Sequence, residues 1–169
     1  MRKRKFMNSR VLYKDNLKKE IKNIKEDIIK DCSKTKKNAD YSFQVFTKYH
    51  DKLYSLFTKS CKKKLKKFNI INTPTKLWSY FTDKDYHEGD TWHNHINTCT
   101  ICGVLYLETV KDCGIEFEHD NKIFYIEPKN YDLLIFPGFL NHRPLISNTK
   151  KRVSLNFEVF CHEPSNQIF

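Results

Sequence analysis

Seven histidines occur in this 169-residue chain, and two of them stand two positions apart in the stretch DTWHNHINT, at His93 and His95. A third, His142, follows the run DLLIF and the turn-like Phe136-Pro137-Gly138, and ten residues after it come Arg152 and Ser154 in RVS. If DTWHNHINT is extended, side chains at i and i+2 point to one face, so His93 and His95 stand as two prongs. Three imidazoles from two strands can occupy one face of an octahedral metal and leave the other positions open. Imidazole suits iron, zinc, copper and nickel alike, so the ligand type alone does not name the metal. Arg152 offers a fork to a carboxylate, and Ser154 adds a hydroxyl to the same group. Open metal positions beside a carboxylate-binding arginine favour iron oxygenase chemistry over a closed structural site. The plain alternatives are a chance histidine pair on a solvated face and an arginine that faces water.

These residues need strands to position them, and the second part of the chain supplies the pattern. KLWSYFT (76–82) reads as a strand and DKDYHEGD as a polar loop. TWHNHINTCTICGVLYLET (91–109) is β-branched and aromatic enough for one or two strands. KDCG is a turn, GIEFEH (114–119) and KIFYIEP (122–128) are short strands around Asp120-Asn121, and KNYDLLIFPGFLNHRPL reads as strand, turn, strand. RVSLNFEVF (152–160) alternates cleanly: Val153, Leu155, Phe157 and Val159 on one face, Arg152, Ser154, Asn156 and Glu158 on the other. Short strands with turn signals and no intervening helices argue for an antiparallel sandwich or barrel.

The first part is helical by its periodicity. Between Val11 and Cys32 apolar residues fall at Leu17, Ile21, Ile24, Ile28 and Cys32, one stripe of an amphipathic helix. A turn-like SKTKKNAD follows. The second stripe runs through Phe46, Tyr49, Leu53, Phe57, Cys61, Leu65 and Phe68, with the cluster CKKKLKK near its C-terminal end, where positive charge suits the helix dipole. Two such helices make a poor core alone and need a sheet to lie against. One domain over 1–169 is expected, with a basic helical support region at 1–70 and the β core with the metal site at 71–169.

The formal charge of +11 is unevenly placed: residues 1–70 carry 22 Lys/Arg against 7 Asp/Glu, and residues 71–169 carry 9 against 13. That is the electrostatic footprint of a nucleic-acid or other polyanion partner, and equally of a solvated helical face in a lysine-rich protein. No stretch has the run of about 18 apolar residues a membrane span requires, and the basic MRKRKFMNSR lacks the apolar core of a secretory signal. A cytoplasmic protein with no membrane partner is the expectation, and its six cysteines are expected as reduced thiols. Cys99-x-x-Cys102 has the spacing of a zinc or redox pair, but in a strand positions i and i+3 face opposite ways, so buried structural thiols are expected there. His50, His87, His119 and His162 lack a comparable setting and are expected at the surface.

HNHINTCTICGVLYL, DLLIFPGFLNHRPL and KRVSLNFEVF, taken in order, resemble the C-terminal part of the 2-oxoglutarate/Fe(II)-dependent oxygenase superfamily. The likeness is to its members with an H-x-H, G-V-x-Y-L, L-x-F-P, H-x-P and R-x-S-x-N series, and it covers about residues 76–162. It implies an α+β fold: a double-stranded β-helix, a jelly-roll or cupin-like sandwich, with N-terminal helices packed on one sheet. It implies Fe(II), 2-oxoglutarate as co-substrate and O2, and a dioxygenase activity, a hydroxylase, that couples decarboxylation of 2-oxoglutarate to oxidation of a primary substrate. That substrate is not legible; a small molecule, a protein side chain and a nucleotide all fit. Carried over, His93 and His142 are the histidine ligands and His95 stands where most members have a carboxylate. Arg152 holds the far carboxylate of 2-oxoglutarate with Ser154 assisting, and Tyr106 is a further candidate for the same group.

The third ligand departs from the pattern. His95 is neutral, so the site keeps the full divalent charge where an aspartate or glutamate would cancel one unit. Asp90 and Asn97 lie close enough in sequence to serve in another register. Two other readings stay open: a three-histidine dioxygenase of cupin type that ignores 2-oxoglutarate, and a non-catalytic jelly-roll module whose basic helices bind nucleic acid. The loops 83–90 and 139–141 are expected to set the primary substrate.

Overall fold

A computed structural model describes residues 12–34, 45, 47–65, 91–145 and 152–161, with the backbone of 77–82. Its elements are β1 (Tyr13–Asn16), α1 (Lys18–Ile21), α2 (Lys25–Lys34), α3 (His50–Lys64), β2 (Leu77–Thr82), β3 (Ile101–Glu108), β4 (Ile115–His119), β5 (Lys122–Ile126), β6 (Asp132–Pro137), β7 (Asn141–Pro144) and β8 (Arg152–Val159). The strands form two antiparallel sheets, one in the order β1-β6-β3-β8-β2 and one in the order β5-β4-β7. Helices on antiparallel sheet make this an α+β architecture.

β8 shows how the sequence pattern becomes layers. Val153, Leu155, Phe157 and Val159 join Ile28, Cys32, Leu53, Phe57 and Cys61 of α2 and α3 in one buried cluster. The alternate residues Arg152, Ser154 and Glu158 are also buried, although they are polar. They look into the gap between the sheets, where a second cluster joins Cys102, Val104 and Tyr106 of β3 and Leu134 and Phe136 of β6 to Ile115 and Phe117 of β4. So the polar face of β8 does not meet water. It lines the sandwich interior, and the apolar face carries the helices.

α3 forms where leucine, phenylalanine and cysteine recur every four residues, and it buries Leu53, Phe57, Ser60 and Cys61. Lys62, Lys63 and Lys64 in its last turn face the negative end of the helix dipole. The Phe57 ring stacks on Phe157 with centroids 4.8 Å apart and planes at 17°. It can lie so close to the sheet because β3 has no side chain under it: a Cβ on Gly103 would fall 2.4 Å from Phe57 Cε2. Phe46 and Phe68, the two ends of the expected stripe, lie outside the described residues.

The first helix differs from expectation. The stripe Leu17, Ile21, Ile28 and Cys32 is buried, but the segment opens as a strand and its helix is broken between α1 and α2. Tyr13–Asn16 pair with β6, and Leu17 N donates to Tyr131 O at 2.9 Å. Buried Asp132 fixes the register by accepting from Asn16 Nδ2 at 3.0 Å and pairing with Lys14 Nζ at 2.6 Å. Tertiary pairing has overridden helix periodicity here. The segment before residue 71 thus adds an edge strand as well as helices.

The remaining strands follow the sequence reading closely. Asp120 and Asn121 have φ of 50° and 57°, the two left-handed positions of a tight hairpin turn, and they join β4 to β5 in the register His119↔Lys122. Among the described residues, no helix is long and apolar enough to cross a membrane.

Candidate metal centre

His93, His95 and His142 come together: each offers a ligand nitrogen, and these atoms all lie within 4.8 Å of one another. The expected strand at 91–95 is reduced to one bridge. His93 N donates to His142 O at 3.0 Å and His142 N returns the bond to His93 O at 2.9 Å. His95 N then reaches Gly138 O at 2.7 Å, so the extended segment runs alongside the turn between β6 and β7. Beyond His95 the chain turns back, with Thr98 N and Cys99 N both donating to His95 O. Gly138 is required at this crossing, because a Cβ there would fall 2.2 Å from the Cys99 carbonyl oxygen. Ring centroids are 4.4 Å apart for His93 and His142 and 5.2 Å for each pair with His95.

Each imidazole has its Nδ1 engaged with an oxygen. His93 Nδ1 lies 3.0 Å from Thr91 O and His142 Nδ1 lies 2.8 Å from Leu140 O. His95 Nδ1 lies 2.8 Å from Glu158 Oε1. A hydrogen on Nδ1 leaves the lone pair on Nε2, the arrangement that orients histidine for a metal. His142 is buried against Phe117 and Phe136, and burial pulls its pKa down to about 3. Partial desolvation also lowers that of His93, against the opposing hydrogen bond to Thr91 O, with His95 adding to the lowering. Burial therefore favours the neutral form of the His142 and His93 rings, the form that binds a metal.

Arg152, Ser154 and Tyr106 gather farther along the same gap. Arg152, at the start of β8, is 2% exposed and donates from one terminal nitrogen to Gly114 O at 3.3 Å and Leu145 O at 3.2 Å. Those carbonyls flank β4 and β7, so the guanidinium crosses from the larger sheet to the smaller. Its Cζ sits 5.2 Å from the Tyr106 ring centroid. Tyr106 and Ser154 are register partners on β3 and β8. Both hydroxyls are buried with no hydrogen-bond partner among the described residues, and burial raises the Tyr106 pKa, with Arg152 opposing. A buried hydroxyl left without a partner costs about 1–3 kcal/mol. Two of them beside a buried guanidinium make a cradle for an anionic, hydrogen-bond-accepting group.

Three features of the site differ from the sequence reading or were missed by it. Asn97 is exposed, and Asp90 lies outside the described residues. Cys99 precedes β3, so Cys99 and Cys102 do not face opposite ways: their sulfurs are 3.2 Å apart, both buried as free thiols. Glu158 was not singled out; its inward position in RVSLNFEVF was the one available signal. His50 and His119 are partly exposed, as expected for residues without a site, and His87 and His162 are outside the described residues.

No family model and no curated protein matches the sequence. Solved structures do match in shape. A Pseudomonas putida prolyl-4-hydroxylase is similar with a TM-score of 0.60 and 12% identity, over 92% of this chain and 95% of that one. The viral collagen prolyl hydroxylase of Paramecium Bursaria Chlorella virus-1 gives 0.57 in a truncated form, at 14% identity over 96% and 99% of the two chains. In its 2OG complex the same viral protein gives 0.55, at 12% identity over 92% and 98%. For a Phytophthora capsici prolyl 4-hydroxylase the TM-score is 0.54 at 16% identity, and 70% of this chain spans 44% of that one. At such identities the likeness speaks for backbone architecture, and on that ground the chain has the fold of these prolyl hydroxylases.

Proposed function

We propose that the protein is an Fe(II)- and 2-oxoglutarate-dependent oxygenase, a hydroxylase, built on a double-stranded β-helix. The observation that carries this reading is one gap between two sheets with three converging imidazoles in one part and a guanidinium with two unpartnered hydroxyls in another. His93, His95 and His142 fit a metal through Nε2. Their nitrogens can occupy one face of an octahedral ion and leave positions for a chelating acid and oxygen. Iron bound there with the 2-oxo acid would supply the oxidising power for attack on a C–H bond of the primary substrate. Arg152 and Ser154 fit the far carboxylate, with Tyr106 as a further donor. A guanidinium presents paired N–H groups to a carboxylate, and a dry cleft strengthens those bonds. The shape shared with a viral collagen prolyl hydroxylase that binds 2OG supports the same reading.

The residues of this chain have orienting and excluding roles. Thr91 O, Glu158 and Leu140 O set the imidazole planes. Phe117 and Phe136 keep water from the His142 side. The apolar residues Ile96 and Phe139 are exposed, 63% and 38%, on the segments that border His95. They form a rim where a substrate with an apolar surface would rest.

Anaerobic titration of metal-free protein with Fe(II) and then 2-oxoglutarate tests the proposal. The expected result is a weak visible charge-transfer band that needs both additions and is lost in Arg152→Ala. Iron binding that ignores 2-oxoglutarate would replace this reading with the three-histidine dioxygenase. Absence of iron binding would remove the enzyme reading altogether.

A further inference from the structure

Among the described residues, the buried carboxylates have cationic partners with one exception. Glu116 accepts from Arg143 at 2.8 and 2.9 Å, and Asp132 pairs with Lys14 at 2.6 Å. Glu158, whose side chain is 7% exposed, pairs with no lysine or arginine among the described residues; its ion-pair contact is to His95 Nδ1 at 2.8 Å. A carboxylate taken out of water costs several kcal/mol unless opposite charge answers it. An imidazole answers that need when a cation sits on its other nitrogen: with Nδ1 turned to Glu158, the three-histidine group would draw on Nε2 of His95.

We infer that Glu158 is the charge-balancing carboxylate of the metal centre, acting through the His95 ring instead of binding the ion itself. This inference rests on the proposed metal site and deepens it. A centre with two histidines and a carboxylate cancels one unit of a divalent ion's charge by direct ligation. Here the third ligand is neutral, and one carboxylate stands directly behind it. A carboxylate oxygen 2.8 Å from Nδ1 makes the imidazole a stronger donor to the metal. β8 holds Glu158 rigidly in place: Glu158 is the register partner of Cys102 in the centre of the larger sheet. Glu158 is thus a positioning residue. It fixes the His95 ring and sets the charge felt at the ion without touching substrate or metal.

Glu158→Gln separates these roles, because the amide keeps the size and an acceptor oxygen and loses only the charge. The measurements are anaerobic Fe(II) affinity, the Fe(III)/Fe(II) midpoint potential of the loaded protein, and the melting temperature of the metal-free protein. The expected results are a ten- to hundredfold loss of affinity, a potential shifted in the positive direction, and a metal-free melting temperature no lower than the wild type. Glu158→Asp keeps the charge and should hold the potential near the wild-type value, which also covers the case of a poorly folded glutamine variant. Wild-type affinity and an unshifted potential in Glu158→Gln would overturn the inference while leaving the histidine site in place. If the wild type binds no Fe(II), and His142→Ala behaves identically, the metal reading fails first and this inference fails with it.

Discussion

His142 is the most deeply buried of the three imidazoles, and its neutrality has a measurable consequence in the metal-free protein. Its folded pKa of about 3 lies well below the ordinary 6.5 that it regains on unfolding. Between those values the unfolded chain binds the extra proton, so stability is fully present above about pH 6.5 and declines as the pH falls toward 3. The loss should approach roughly 4 kcal/mol at the bottom of that window. Urea denaturation of the metal-free protein at stepped pH checks it, and His142→Phe should flatten the acid limb. An unchanged limb in that variant would assign the acid sensitivity elsewhere. At this scale the sequence was generous: His-x-His, His142 and the Arg-x-Ser series were all visible as letters with a shared chemistry. Glu158 was not, because its partner lies sixty-three positions away and only the packing of the 91–99 segment against β8 joins them. The acceptors for His93 and His142 are backbone carbonyls, which no residue type announces.

The elements are held by contacts that a single atom can break. Gly103→Ala would set a methyl carbon 2.4 Å from the Phe57 ring, and the ring is clamped between α3 and Phe157 and cannot simply swing away. Overpacking of this kind costs about 1–3 kcal/mol, so the midpoint of chemical denaturation should fall by a corresponding amount. Fe(II) affinity of the folded fraction should stay unchanged, because Phe57 lies on the opposite side of the sheet from the histidines. Strand and hairpin positions were readable because alternation and turn residues are local signals. The broken first helix was not: its apolar spacing is helical, and only pairing with β6 shows that Tyr13–Asn16 belong to the sheet. The cysteine pair is buried as free thiols, as expected, but not on opposite faces, since the strand begins at Ile101 and leaves Cys99 in the preceding turn.

On the scale of the whole molecule, the described lysines of α2 and α3 and the candidate site lie on opposite sides of the five-stranded sheet. Lys30, Lys52, Lys59, Lys62 and Lys63 are exposed, while α2 and α3 turn their apolar residues to the sheet. Polar groups line the gap between the sheets: Arg152 reaches the carbonyls of Gly114 and Leu145 near the start of β8, and near its end Glu158 meets His95, whose segment bridges to β7 through His93. The five-stranded sheet therefore separates two kinds of interior, an apolar one beneath the helices and a chemical one facing the smaller sheet. β8 is where they meet, changing sides at every residue. Selection can then act on its two faces separately. In a library saturating residues 152–159, odd-numbered positions should govern how much protein accumulates. Even-numbered positions should govern what the accumulated protein binds. A lineage could drift toward new ligands along one set while the other keeps it folded, and a single strand would record both histories in alternating letters.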